Sequence, residues 1–418
     1  MVREVTRCRI CANENLVSIL DLGAQCLTGV FPKDRDHVLT TGPLELVKCV
    51  DERDGGHCGL VQLRHSYEPD EMYGDNYGYR SSLNRSMVEH LEKIVRRLLE
   101  LVPLRRDDLV LDIGSNDGTL LSFYPAEGPQ LVGMDPTAKK FARFYPPHAR
   151  AIAEFFSAEQ FRAQYGDRPV KVVTSIAMFY DLDDPTGFMR QVGAILAADG
   201  IWYLEQSYLP TMLAVNAYDT ICHEHVEYYT LRQIKHMTDR TGLKIVDVVM
   251  NQVNGGSFGV TVARREAPYP EATARVEGML QAEASDGIEG LERYREFRRA
   301  VFAHREMLQE LLRRFRDEGR LVLGYGASTK GNVILQFCGI TTREIPYIAE
   351  VNPDKFGCYT PRSKIPIISE TAARAMNPEY FLAFPWHFRP NLLQREAVFL
   401  RRGGKMIFPL PRIEIVAA

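Results

Sequence analysis

The chain has 418 residues, 45% hydrophobic and 25% charged, with a formal charge of −3. That length exceeds one ordinary domain of ~100–200 residues, so two or three units are expected. The near-neutral balance without like-charge runs argues against a nucleic-acid binder; with no signal core and no run approaching the ~20 apolar residues of a bilayer span, a cytoplasmic chain without membrane partners is expected.

Residues 1–75 read as short apolar runs broken by Gly, Pro and charge, with no sustained helical period. Cys8-x-x-Cys11 offers two thiolates from one knuckle, and Cys49 with Cys58 completes a four-sulfur set. Such a set suits a closed, structural zinc site. His57 is an alternative to Cys58 as fourth ligand, and Cys26, Cys222, Cys338 and Cys358 stand apart from the group and from each other. The aromatic segment MYGDNYGYRSS follows, then an apolar stripe at helical spacing, Met87, Leu91, Ile94, Val95 and Leu98.

Residues 76–285 are expected to form a second unit. LVLDIG, LVGMD, VKVVTS and IWYLEQ alternate with helical stretches, the pattern of a doubly wound parallel sheet. LKIVDVVM and SFGVTVARR then end it as a hairpin around NQVNGG. Residues 266–285 read as a connecting stretch, followed by a long amphipathic helix carrying Phe302, Leu308, Leu311, Leu312 and Phe315. A third unit, 286–418, repeats the strand, Gly-rich turn and helix order in RLVLGYGASTKGNVILQ.

The turn LVLDIGSNDG places Asp112, Gly114, Asn116 and Asp117 at the carboxyl end of the first strand, where open α/β sheets bind ligands. It lacks GxGxxG, and Asp117 repels a pyrophosphate. An acidic loop suits the cationic groups of S-adenosylmethionine instead. Asp135 ends the next strand, where a carboxylate can accept from ribose hydroxyls, and Tyr180, beyond VKVVTS, is counted in the same cofactor set.

AYDTICHEHVEYYTL crowds His223, Glu224, His225, Glu227, Tyr228 and Tyr229 together. Imidazoles and carboxylates suit proton transfer near neutral pH. Helical i, i+2 spacing would part the two histidines, which favours acid-base work over a second metal site; a solvated helix start is the plainer alternative. Asn254 and Ser257 in the hairpin loop, with Ser328, Lys330 and Asn332 in the second Gly-rich turn, are candidate substrate contacts, Ser328 and Lys330 for phosphate.

Together CGLVQL, NYGYRSS, LDIGSNDG, DTICHEHVEYY, NGGSFGV and GYGASTKGN, spread over nearly the whole chain, resemble the bacterial sugar C-methyltransferases that branch deoxysugars at C3 of a nucleotide-linked 4-keto hexose. The resemblance implies a zinc-binding N-terminal domain, a central class I (Rossmann-like) methyltransferase domain, and a C-terminal Rossmann-like α/β domain that helps hold the nucleotide sugar. The family's Tyr-His-Glu-His run maps onto Cys222, His223, Glu224 and His225, with cysteine where the family has tyrosine; the Cys49 to Cys58 spacing is wider than the family's.

On that basis His225 is expected to remove the C3 proton, Glu224 to orient or charge-balance it, and Tyr77 or Tyr79 to donate to the enolate oxygen, with Cys222 a small filler. A thymidine, guanosine or cytidine diphosphate carrier fits equally. An O- or N-methyltransferase, or a nicotinamide oxidoreductase built on the two Gly-rich turns, are the alternatives.

Overall fold

A computed structural model of the chain describes residues 2–50, 57–73 and 79–418. Its first sheet is antiparallel and runs Leu16–Cys26, Thr41–Cys49 and Val61–Leu63, with a fourth strand, Glu227–Tyr228, supplied from far along the chain. That strand pairs Glu227 with Gln62 and Tyr228 with Val61. A segment from the middle of the protein thereby completes the N-terminal sheet.

The central sheet has seven strands, in the order Leu243–Asn251, Ser257–Arg264, Leu196–Ser207, Val170–Ile176, Leu109–Ile113, Gln130–Met134 and Ala149–Ile152. Six run in the same direction and only Ser257–Arg264 opposes them, closing the final hairpin that the Asn/Gly loop demands. Strand Leu109–Ile113 is buried at every position, as a central parallel strand covered on both faces should be. Ahead of the sheet, Asn84 caps the helix Arg85–Leu101 by accepting from the Ser86 backbone N–H, and all five residues of the expected stripe are buried.

Three expectations are corrected here. No α-helix follows Leu109–Ile113: only the 3-10 turn Leu121–Phe123 forms, because Tyr124 is extended ahead of Pro125. The helix Arg85–Leu101 covers that face instead, packing with the buried Leu120, Leu121 and Tyr124. Secondly, Ala149–Ile152 is an additional edge strand whose largely solvated pattern concealed it. Thirdly, the stretch 266–285 is not merely a connection, since Thr273–Ser285 is helical and buries Val276 and Glu283.

A six-stranded sheet closes the chain, ordered Ile367–Ser369, Ile348–Glu350, Val322–Tyr325, Tyr380–Ala383, Lys405–Phe408 and Glu414–Val416, with only the last strand antiparallel. The helix Glu292–Asp317 buries Leu308, Leu312 and Phe315 from its expected stripe, while Phe302 and Leu311 are partly buried. Its core is continuous with Leu20, Leu44 and Leu46 of the first sheet and with Tyr218, Ile221 and Cys222. No helix among the described residues is long and apolar enough to cross a membrane.

Leu98 is 1% exposed on the helix that substitutes for the missing one. Leu98→Ala is expected to cost ~2–5 kcal/mol, as buried Leu to Ala changes do, read as a lower denaturant midpoint at unchanged slope.

Candidate functional site

The first centre is metal-binding. Sγ atoms of Cys8, Cys11, Cys49 and Cys58 all lie within 4.8 Å of one another, with Cys8 to Cys58 at 3.3 Å and Cys11 to Cys49 at 3.6 Å. Zinc with ~2.3 Å bonds to sulfur spaces its ligands by distances of this order, so the four thiolates fit it and leave no open position. Asn13 donates to Cys49 Sγ at 3.4 Å, a second layer that orients the ligand. Cys58, not His57, is the fourth member; residues 51–56 of the intervening loop lie outside the described residues.

The second is the acidic turn. Gly114 has φ +73, and a Cβ there would sit 2.9 Å from the Met178 side chain, so glycine is required. Asp135 Oδ2 accepts from the Asn116 backbone N–H at 2.8 Å, while Asp117 accepts from Ser82 N–H at 3.0 Å. Asp112 takes the Thr174 hydroxyl at 2.6 Å. Burial, with Asp135 beside it, raises the Asp112 carboxyl to about 7 despite that bond. Three carboxyl groups crowd this strand end, and a cationic ligand relieves their repulsion, so the residues present fit S-adenosylmethionine. The same turn anchors the aromatic segment: Asn116 Oδ1 accepts from Ser81 N–H, and its amide donates to the Tyr79 carbonyl.

The third is the run from 218 to 230, which is not helical. A 3-10 turn, Tyr218–Thr220, leads through a tight bend into the strand Glu227–Tyr228. From Cys222 to Tyr229 every residue is buried except His225, so the solvated alternative does not hold. The two histidines part company by a different route than helical spacing. His223 turns to the N-terminal unit, where Nδ1 accepts the Thr28 backbone N–H at 3.3 Å and Tyr67 meets its ring edge-on. His225 donates from Nδ1 to the Thr220 carbonyl at 2.9 Å and lies 4.2 Å from the Tyr180 ring. That bond places the lone pair on Nε2.

Orientation of His225 thus comes from the backbone rather than from Glu224. Glu224 instead packs against Gly29, with the Thr28 hydroxyl 3.5 Å away, and burial raises its carboxyl. Cys222 is wholly buried and its thiol is pushed up by burial, which keeps it protonated and inert. Tyr79 is half exposed, whereas Tyr77 falls outside the described residues.

The substrate candidates divide. Ser257 donates to the Val253 carbonyl, Asn332 donates to the Thr28 carbonyl, and Ser328 caps the helix Thr329–Phe337 through the Gly331 N–H, so each holds the framework. Lys330 donates to the Asn254 carbonyl at 3.0 Å from a partly buried position. Sequence reasoning missed Asp219, whose carboxylate takes the Trp386 indole N–H at 2.8 Å across 167 positions, and Asp181, which accepts from Tyr73 at 2.8 Å. Contacts that distant leave no local signal.

Comparison with known proteins adds three family models: a zinc binding domain over residues 8–73, a methyltransferase domain over 84–248, and a C-methyltransferase C-terminal domain over 252–411. The C-methyltransferase NovU of Streptomyces niveus is 33% identical over 423 residues, covering 100% of this chain and 98% of that one. Among solved structures, a methyltransferase in complex with the Haloferax volcanii Trm112 activator has 12% identity and TM-score 0.34 over 45% of this chain and 99% of its own. The N-methyltransferase NodS of Bradyrhizobium japonicum has 13% identity and TM-score 0.32 over 42% and 94%.

Two outcomes follow from this geometry. Cys49→Ser is expected to lower zinc content, measured by elemental analysis, and to lower the thermal midpoint, because the metal ties separate chain segments together. Burial holds both His223 and His225 at about 3, helped for His225 by the Lys330 charge. Both imidazoles should therefore stay neutral from pH 8 to 5 in nitrogen-resolved NMR. Because the unfolded rings titrate near ~6.5, stability should fall as pH drops from there toward 3.

Proposed function

We propose that this chain, which belongs to the C-methyltransferase family and depends on S-adenosylmethionine, methylates C3 of a nucleotide-linked 4-keto deoxyhexose through an enolate. The observation that carries the reading is His225. It alone of residues 222–229 is partly rather than fully buried, and its Nδ1–H is spent on Thr220, so a neutral Nε2 is left to accept a proton. A ketone acidifies the carbon beside it, and a base of this kind is what that carbon requires.

The donor, when bound, supplies an electrophilic methyl group. Asp112, Asn116 and Asp117 on the glycine-bearing turn, with Asp135 at the end of the next strand, hold its cationic and ribosyl parts, and Tyr180 links this side to His225. The ring contact with Tyr180 and the Thr220 bond restrict the imidazole to one orientation, which favours reaction from a fixed geometry. Lys330 brings a partly buried positive charge to the hairpin loop at Asn254, a charge suited to the diphosphate of a sugar nucleotide. Asp219 balances that charge, being a source of attraction for the ammonium. Cys222 serves as filler, and Tyr79, the described member of the expected pair, is held by its carbonyl against the donor turn, from where its phenol would donate to the enolate oxygen.

The test uses thymidine, guanosine and cytidine diphosphate-linked 4-keto sugars in deuterated solvent without methyl donor. Exchange of the C3 proton, followed by labelled methyl at the same carbon on adding donor, is expected. His225→Asn should reduce exchange by ~10²- to 10⁴-fold, the ordinary contribution of a positioned base, while homocysteine-product binding persists. Label arriving on oxygen or nitrogen with no carbon exchange overturns the reading.

A further inference from the structure

Glu227 opens the short strand Glu227–Tyr228, two residues beyond His225, which lies at the end of the preceding turn. Glu227 is 1% exposed, yet it lines the same small cavity as His225, together with Tyr180, Thr220 and Tyr228. Its Oε2 accepts the phenol of Tyr229. Oε1 is buried and has no hydrogen-bond partner among the described residues. Buried polar atoms are nearly always paired, so an orphan of this kind marks a place where something else is meant to bind.

The charged and titratable groups facing it set its state. Burial raises the carboxyl to about 8, Asp183 and Asp184 push the same way, and Arg9 and the Tyr229 bond pull against them. Asp181 is also close enough to interact with it. At neutral pH Glu227 is thus an undissociated acid, and Oε1, free of the Tyr229 bond, is the oxygen able to carry the proton outward. His225, on the same cavity, is an unprotonated base. Two titratable groups driven to opposite states by their surroundings are the arrangement that acid and base catalysts of one step display.

We propose that Glu227 is the proton donor to the carbonyl oxygen of the substrate, acting opposite His225 in the same enolisation. The proposal rests on the function proposed above. In the step, the carbon-bound hydrogen passes to His225 Nε2 as a proton and its electron pair forms the carbon–carbon double bond. The carbonyl π pair takes the proton from Glu227 Oε1, giving an enol and a Glu227 carboxylate. When the enol carbon attacks the donor's methyl group, the new carbon–carbon bond forms and the sulfur–methyl bond breaks. The enol proton returns to Glu227, and the proton on His225 leaves to solvent. The balance is one methyl gained, one proton released and a neutral thioether product.

A thymidine diphosphate-linked 4-keto-6-deoxyhexose is the probe, or the carrier that the wild type exchanges fastest. Wild-type exchange without donor is expected to fall above about pH 8, as Glu227 loses its proton. Glu227→Gln should exchange ~10²- to 10⁴-fold more slowly at pH 7, with zinc content and S-adenosylhomocysteine binding unchanged. Tyr229→Phe removes a bond that lowers the Glu227 value, so its basic limb should move to higher pH. Exchange at the wild-type rate in Glu227→Gln overturns the proposal alone. Should that variant lose zinc, an exchange profile flat to pH 9 in the wild type, or a limb unmoved in Tyr229→Phe, overturns it equally. A wild type that binds the probe and never exchanges its proton removes the proposed function, and this assignment with it.

Discussion

The structure depends on how the backbone of residues 218–230 is satisfied. This polar stretch lies inside the protein, where an unpaired peptide group is costly. Val226 N–H donates to the Tyr180 carbonyl, and the Val226 carbonyl accepts from Leu63 N–H, so one residue is held by the central and N-terminal sheets at once. Leu209 N–H reaches the Tyr229 carbonyl, and Gln233 donates to the carbonyl of Cys58, itself a zinc ligand. From the other side Trp386 secures Asp219. Three units therefore share one peptide segment, and the zinc centre bears on the site through the two residues of chain between Cys58 and Val61.

The electrostatic character of the site follows from that placement. Side chains carried inward on a hydrogen-bonded strand cannot retreat to water, so burial decides their protonation. Carboxyls rise and imidazoles fall, which leaves Glu227 protonated and His225 unprotonated near neutral pH. Charge is kept where a charged ligand can use it: the acidic turn at the end of Leu109–Ile113 and the ammonium of Lys330 beside the hairpin.

Much of the framework was legible because its signals are local. The helix Arg85–Leu101 announced itself through five apolar residues at one spacing, the terminal hairpin through its Asn/Gly loop, and the cofactor turn through glycine and aspartate at a strand end. The errors were local as well. Leu120 to Tyr124 have the composition of a helix but meet Pro125 after too few residues, and Ala149–Ile152 carries too little apolar pattern to read as a strand. In the C-terminal turn, Ser328 and Asn332 looked like ligand groups because polar residues beside glycine do so; the fold uses them as a helix cap and a tie to Thr28.

What the sequence determined by itself was chemistry that resides in residue type and short spacing: four thiolates able to close around zinc, an acidic nucleoside turn, and a dense run of proton carriers. The tertiary structure decided which carriers matter. Only packing could leave His225 partly accessible while burying His223 two residues away, tie the His225 ring to the Thr220 carbonyl rather than to Glu224, and set Glu227 on the same cavity as His225 with one oxygen unpaired. Those outcomes depend on partners up to 167 positions distant, and a contact of that range is written in the shape of the fold rather than in any stretch of the chain.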